Sequence, residues 1–89
     1  MNCVEIEIVN KLGLHARASA MFVTLASSFN SELTLALNGQ CVNAKSIMGI
    51  MMLAAPLGSR LELCAKGQDE HQAVIELSKL VNNRFGEPE

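Results

Sequence analysis

Hydrophobic and polar residues along the 89-residue chain follow two different periods, and the changes between them divide the chain into elements. Apolar side chains at every second position are typical of strands with one buried face, whereas a spacing of three to four positions is typical of helices. The alternating segments are Val4 to Ile8, Leu33 to Leu37 and Leu61 to Ala65. The pattern therefore predicts a strand in each of these three places.

A further strand and two of the helices follow from turn and capping residues. Asn38-Gly39 is a strong signal for a two-residue hairpin turn, so the strand ending at Leu37 is expected to pair with one that includes Cys41-Val42. A loop, Asn10 to His15, precedes a helix predicted from Ala16 to about Ser28. A short helix begins after Ser46 as its N-cap and is stopped by Pro56 and Gly58.

The last helix is predicted to begin at Asp69, where Gln72 three residues later completes a variant capping box. Its apolar face should lie on the sheet and consists of Ala73, Leu77, Leu80 and Val81. Beyond it, Gly86-Glu87-Pro88-Glu89 is typical of a frayed tail. The resulting order, βαββαβα, predicts a mixed α+β domain.

Composition and charge allow one domain, residues 1–89, and exclude several classes of function. Because 49% of the residues are hydrophobic and 3% aromatic, the core must consist of aliphatic side chains and methionine. A net charge of −2 leaves no basic stripe, so no binding of nucleic acid is expected. No segment predicts a signal peptide or a membrane span, so we expect a cytoplasmic protein with no membrane contact.

The three cysteines, Cys3, Cys41 and Cys64, are widely separated in the sequence. They lack the C-x-x-C spacing of a zinc or redox site, and their number is odd. We therefore interpret them as reduced core or strand residues and expect no metal site.

Candidate chemistry is concentrated in Gly13-Leu14-His15-Ala16-Arg17-Ala18-Ser19, where a histidine lies at the start of a predicted helix. The first N–H groups of a helix lack acceptors and carry the positive end of the helix dipole, so they favour an anion. Neutral imidazole is a good nucleophile. His15 is thus a candidate phosphoryl carrier, with the Ala16 and Arg17 amides and the Arg17 guanidinium binding the phosphate. Spacing alone leaves open that His15 is an ordinary surface or capping residue.

A second cluster, Asn43-Ala44-Lys45-Ser46, is followed by the apolar run Ile47 to Leu53. Together the two clusters resemble those of the HPr family of phosphocarriers, the small histidine proteins of the bacterial phosphotransferase system. The first cluster is similar to the family's histidine motif, with Ala18 where many members have proline, and the second is similar to its serine motif. Length, segment order and spacing agree as well, so the resemblance extends over nearly the whole chain.

The resemblance implies an open-faced β-sandwich, in which a four-stranded antiparallel sheet carries three helices on one face. It also implies that Nδ1 of His15 receives a phosphoryl group from enzyme I and passes it to enzyme IIA domains. Both the sugar-uptake branch of the family and the nitrogen-related regulatory branch, with NPr-type carriers, remain open. We expect a monomeric carrier, not an enzyme, that uses no cofactor.

The short middle helix is apolar on every face, so part of it should remain exposed unless the helix sinks deeply into the core. The resemblance makes this exposed part, with the side of the first helix around Ala20 and Thr24, the docking surface for both partners. Its candidate residues are Ile47, Met48, Met51 and Met52. Ser46 has two compatible interpretations: it caps the helix, or it is a regulatory site like the matching serine that an HPr kinase/phosphorylase modifies in some lineages of the family, and the sequence leaves open whether such a kinase acts here.

Alternatives to these assignments remain open at the level of sequence. The chain could be a non-catalytic regulatory module that binds partners through Ile47 to Met52 and is never phosphorylated on histidine. Gly13 either lets the loop approach the phosphate or is an ordinary turn glycine. We interpret His71 as a solvated surface histidine, because Asp69 and Glu70 beside it would repel phosphate.

Overall fold

The chain, described from Met1 to Glu89 by a computed structural model, has four strands and three helices in the predicted order βαββαβα. The strands are β1 (Asn2–Glu7), β2 (Glu32–Leu37), β3 (Gln40–Asn43) and β4 (Arg60–Lys66). The helices are α1 (Ala16–Ser27), α2 (Ile47–Leu53) and α3 (Glu70–Asn82), followed by a 3₁₀ turn at Arg84–Gly86. None of the helices combines the length and the apolar character that crossing a membrane requires.

The four strands form one antiparallel sheet in the order β1-β4-β2-β3. Leu63 of β4 lies opposite Val4 of β1 on one side and opposite Leu35 of β2 on the other, so their apolar side chains share a face. This face packs against the helices, while the alternate residues of each strand face solvent. The predicted α+β open-faced sandwich is therefore confirmed.

The connection between β2 and β3 is the predicted two-residue hairpin turn. Asn38 and Gly39 both have positive φ values, +51° and +83°, as a type I′ turn requires. Leu37 and Gln40 are paired on either side of it. The Asn-Gly pair thus sets the register of β3, an edge strand, against β2.

The core between sheet and helices is largely aliphatic, as the composition predicts. Its two largest side chains, Phe22 of α1 and Phe85 after α3, are completely buried. Helix α3 buries three residues of its predicted face, Ala73, Leu77 and Val81. The fourth, Leu80, is partly buried at the edge of the core. Each of the larger side chains contributes about 2 kcal/mol through burial, so a core of this size supports a domain of 89 residues.

The interpretation of the cysteines as reduced is wrong for two of the three. Cys3 in β1 and Cys64 in β4 lie directly opposite each other, with Cα atoms 4.1 Å apart, and form a disulfide on the solvent-facing side of the sheet. Cys41 in β3 is free and exposed. The carboxylate of Glu62 lies beside the two bonded sulfurs, but a disulfide offers no thiolate to a metal. Sequence spacing missed the pair because only the β1–β4 register joins them.

The predicted capping box at the start of α3 is also wrong. Asp69 is the N-cap residue, but its side chain makes no hydrogen bond to the helix. The carboxylate instead accepts hydrogen bonds from the backbone N–H groups of Asn30 (2.8 Å) and Ser31 (2.9 Å) and from the Ser31 hydroxyl. Three donors together bind the Asp69 carboxylate more strongly than the single helix N–H of a capping box would. The side chain of Gln72, the other predicted member of the box, donates to Glu76 instead. Asp69 therefore ties the start of α3 to the start of β2.

The C-terminal tail is packed against the fold, contrary to the prediction that it is frayed. Arg84 and Phe85 both have positive φ values, +56° and +54°, a conformation that costs a non-glycine residue about 1 kcal/mol. Burial of the Phe85 ring outweighs this cost. The tail then runs back over the loop before α1, where the Lys11 N–H donates to the Glu89 carbonyl at 2.9 Å.

Thiol titration of the oxidised native protein is expected to find one reactive thiol, Cys41, and three after reduction. Because the link joins residues 61 positions apart, its reduction should lower the free energy of unfolding by about 4 kcal/mol, measured by urea unfolding with and without dithiothreitol. Cys41→Ser is the control, since it removes a thiol but not the link. A stability unchanged by reduction would contradict this prediction.

The hydrogen bond from the Ser31 hydroxyl, followed by that from the Asn30 N–H, lowers the pKa of Asp69 below its ordinary value of 3.8. Such a carboxylate stabilises the fold above the unfolded-state pKa and loses this contribution as pH falls through the folded-state pKa. Asp69→Asn should therefore unfold at lower urea concentration than wild type at neutral pH, with the difference shrinking below pH 3.8. Glu32→Gln, a change at an exposed carboxylate, is the control. An Asp69→Asn difference that is independent of pH would refute the assignment.

Candidate functional site

His15 is the N-cap residue of α1, where extended backbone (φ −72°, ψ −179°) enters the helix. The preceding residue, Leu14, is buried and fixed through both of its backbone polar groups. Its N–H donates to the Ala55 carbonyl at 2.9 Å, and its carbonyl accepts from the Ser19 hydroxyl at 3.1 Å. The imidazole therefore lies at a rigid helix start with 28% of its side-chain surface exposed.

The first three N–H groups of α1, those of Ala16, Arg17 and Ala18, have no hydrogen-bond acceptor. The His15 side chain does not cap the helix, and no acidic residue lies in its first turn. These N–H groups carry the positive end of the helix dipole. The helix start beside the imidazole therefore favours an anion such as a phosphoryl group.

Gly13 shapes the loop that leads to His15. It has a φ of +69°, and a Cβ at this position would lie 2.5 Å from the Ala55 carbonyl oxygen. A larger residue would separate the loop from the α2–β4 connection, so the packing requires glycine. The Gly13 N–H donates to the Asn10 carbonyl at 3.2 Å, so it is already paired. The N–H groups without an acceptor are those of the helix itself.

A carboxylate from the C-terminal tail, that of Glu87, lies against the imidazole. Its Oε2 contacts Nε2 of His15 and accepts a hydrogen bond from Nη2 of Arg17 at 3.0 Å, while its Oε1 accepts one from Nδ2 of Asn10 at 3.0 Å. The Glu87 side chain is 9% exposed. The hydrogen bond from Asn10, followed by that from His15, lowers the pKa of Glu87, so the group is charged at neutral pH.

Asn10 connects the Glu87 carboxylate to the loop before α1. It is completely buried, and its Nδ2 donates to both the Gly13 carbonyl and the Glu87 carboxylate, while its Oδ1 has no partner. Reversing the amide would direct its oxygen at these two acceptors, so the hydrogen bonds fix its orientation. Sequence reasoning missed both Asn10 and Glu87, because a loop asparagine and a tail glutamate carry no pattern that separates them from surface residues.

Arg17 extends from the first turn of α1 and is 55% exposed. Besides Glu87 it contacts the Phe85 carbonyl and the Met21 sulfur, each at 3.5 Å. Arg17 also lines a shallow groove on the exposed side of α1, to which Ala20 and Thr24 contribute. The structure thus brings the predicted phosphate-binding residues and the predicted first-helix residues onto one side of the molecule.

Helix α2 buries Ile50 and Leu53 and exposes its other large apolar side chains. The alternative in which this helix sinks entirely into the core is therefore wrong. The exposed side chains, 43–76% accessible and called the α2 surface below, are Ile47, Met48, Met51 and Met52. Ser46 caps the helix as predicted, since its hydroxyl accepts a hydrogen bond from the Gly49 N–H at 3.1 Å.

The second histidine lies away from this site. His71 is exposed in the first turn of α3, next to Glu70, and its Nδ1 lies 3.0 Å from Nδ2 of Asn2. It lies beside the carboxylates of Asp69 and Glu70, which would repel a phosphoryl group, and its ring makes no contact with an arginine. Its interpretation as a solvated surface histidine is confirmed.

An open-faced sandwich with a partly exposed histidine at an acceptor-free helix start defines a small domain of the phosphoryl-carrier class. A family model described as "PTS HPr component phosphorylation site" matches residues 3–83. The chain belongs to the HPr family of phosphocarrier proteins.

Individual relatives agree over nearly the full length. The phosphocarrier protein HPr of Cupriavidus necator is 55% identical over 82 residues, which cover 92% of each chain. The crystal structure of HPr-C-His from Thermoanaerobacter tengcongensis has a TM-score of 0.97 and 47% identity, covering 100% of both chains. An HPr dimer from the same organism has a TM-score of 0.79 and 48% identity, covering 98% of this chain and 100% of that one.

Proposed function

We propose that the protein accepts a phosphoryl group on Nδ1 of His15 from phosphorylated enzyme I and passes it to enzyme IIA domains. The observation that carries this proposal is the imidazole at a helix start whose first three N–H groups have no acceptor. A phosphoryl group next to the ring would meet these donors and the positive end of the helix dipole. The alternative, a regulatory module that is never phosphorylated, gives no reason for His15 and Arg17 at this helix start.

The transfer itself is a displacement at phosphorus. The Nδ1 lone pair forms a bond to phosphorus while the bond from phosphorus to the donor breaks, and the reverse exchange delivers the group to the acceptor. The Ala16 and Arg17 amides and the Arg17 guanidinium stabilise the charge on the moving group. Because Arg17 is largely exposed, its contribution grows when a docked partner excludes water.

Both partners are proposed to dock on one continuous surface, formed by the α2 surface and the groove beside Ala20 and Thr24. Two observations support this: α1 and α2 pack against each other, and Arg17 lines both the groove and the cleft at His15. Flexible methionine side chains adapt to differently shaped partners, as a carrier with a donor and an acceptor requires.

A carrier that presents this surface to each partner in turn would act as a monomer and need no metal or cofactor. We propose that it does so in the cytoplasm. Reducing thiols there would act on the exposed Cys3–Cys64 disulfide, so transfer is best measured on both the oxidised and the reduced protein.

Ser46 is proposed as a regulatory site for an HPr kinase/phosphorylase. Its hydroxyl lies at the start of α2, next to Ile47 of the docking surface. A phosphoryl group would remain compatible with the helix N-terminus but would place negative charge beside the apolar α2 surface. It would therefore weaken docking without unfolding the domain.

His15→Ala tests the carrier assignment directly. After incubation with enzyme I and phosphoenolpyruvate, the wild-type chain should gain the mass of one phosphoryl group, and His15→Ala should gain none because its nucleophile is missing. His71→Ala, the matched histidine control, should be labelled like the wild type. Equal labelling of His15→Ala would show that the assignment of the site is wrong.

Two variants of Ser46 separate its capping role from its regulatory role. Ser46→Ala should lose about 1 kcal/mol of stability in urea unfolding but keep the wild-type rate of phosphorylation by enzyme I. Ser46→Asp retains a capping acceptor and should keep the stability, yet its charge should slow phosphorylation several-fold by raising the apparent KM. A wild-type rate for Ser46→Asp would remove the regulatory proposal.

A further inference from the structure

Glu87 is held beside His15 by contacts that do not involve the histidine. Phe85, two residues earlier, is completely buried and anchors the tail in the core. The Asn10 amide fixes Oε1 of the carboxylate, and Lys11 binds the chain end beyond it through the Glu89 carbonyl. The position of the carboxylate is therefore built into the fold and does not depend on the imidazole.

The contact of Glu87 with His15 is made to one particular ring nitrogen. A charged carboxylate can only accept hydrogen bonds, so a favourable contact with Nε2 requires the hydrogen to be on Nε2. A neutral imidazole has one N–H, which leaves Nδ1 as the nitrogen with the free lone pair. The Nδ1 atom makes no hydrogen bond to the helix.

Glu87 leaves the anion-binding end of α1 unoccupied. Its two carboxylate oxygens contact Asn10, His15 and Arg17. Neither oxygen accepts a hydrogen bond from the first-turn N–H groups of α1. The carboxylate thus lies at Nε2 of the ring and leaves the first-turn N–H groups free, while it pairs with the Arg17 guanidinium. In this geometry the carboxylate contacts Nε2 and leaves Nδ1, the proposed nucleophile, without a hydrogen bond to the helix.

We propose that Glu87 is a positioning residue for His15: its carboxylate holds the ring in the Nε2–H form and stabilises the positive charge that the ring acquires on phosphorylation. This inference rests on the proposed function of His15. When Nδ1 forms its bond to phosphorus and the donor's bond breaks, Nε2 keeps its hydrogen, so no base has to remove a proton. The ring becomes cationic, and the adjacent carboxylate offsets that charge, as the acidic residue of a catalytic triad does for its histidine.

The tautomer of His15 is the first test, and it requires no partner protein. In ¹⁵N-labelled wild-type protein at about pH 8.5, NMR should show Nε2 of His15 protonated and Nδ1 unprotonated. In Glu87→Ala the ring should change toward the mixture of both forms that a solvated imidazole shows. Glu89→Ala is the matched control, because Glu89 belongs to the same tail but pairs with Lys11, and it should leave His15 unchanged.

His71 serves as an internal reference, since its resonances should be the same in all three proteins. Far-ultraviolet circular dichroism and the melting temperature check that Glu87→Ala is folded. Identical ¹⁵N shifts of His15 in wild type and Glu87→Ala, or a protonated Nδ1 in wild type, would overturn the proposal.

The rate of transfer is the second test. Glu87→Ala should be phosphorylated by enzyme I about tenfold more slowly at saturating protein, with little change in KM, because a hydrogen bond to a charged group is lost at the ring and not at the docking surface. Glu89→Ala should keep the wild-type rate. A faster Glu87→Ala would show that the carboxylate obstructs the site and would overturn the proposal. If no variant, wild type included, is phosphorylated, the proposed function fails, while the NMR result still decides whether Glu87 sets the tautomer.

Discussion

Three adjacent N–H groups without acceptors, at the first turn of α1, are the constraint around which the site is built. Leaving such donors unpaired is unfavourable unless water or an anion reaches them. The first two residues of α1 are exposed, whereas the third, Ala18, is buried, so an anion would meet the helix at its first two N–H groups. The fold holds this helix start in place by fixing the backbone just outside it: Leu14 is bonded on both sides, and Gly13 packs closely on the Ala55 carbonyl. A mobile loop at this point could fold its own side chains back onto the donors. The rigidity of the loop therefore preserves the affinity of the helix for an external anion.

The C-terminal tail places the Glu87 carboxylate in contact with His15 without occupying the free N–H groups at the start of α1. A free glutamate near three unpaired N–H groups would be attracted to them, but the Asn10 amide holds Glu87 at Nε2 of the imidazole, where it makes no hydrogen bond to these groups. The arrangement costs an unpaired Asn10 oxygen and two left-handed residues before the tail, and the buried Phe85 ring offsets these costs. A carboxylate lies at Nε2, whereas Nδ1 makes no hydrogen bond to the helix, so the two ring nitrogens of His15 have different surroundings.

The apolar surface of α2 is exposed for a geometric reason. A helix of two turns that packs on a sheet can bury one side, and in α2 the buried side consists of Ile50 and Leu53. Its other side chains are apolar as well, so the sequence forces them into solvent, where they are suited to transient contacts. Ser46 caps this helix and lies next to that surface, which links the stability of α2 to the chemistry of one hydroxyl group.

Local patterns in the sequence determined the strands, the helices, the Asn38-Gly39 hairpin and the placement of His15 and Arg17 at a helix start, because each depends on residues close together along the chain. The sequence likewise pointed to the exposed face of α2. Only the tertiary structure decided which distant groups meet: Cys3 with Cys64 through the β1–β4 register, Asp69 with the turn before β2, and Glu87 with Asn10 and His15. In each case the residues are more than 35 positions apart. Periodicity carries no information about such contacts, since they arise from the packing of elements and not from the preferences of any one element.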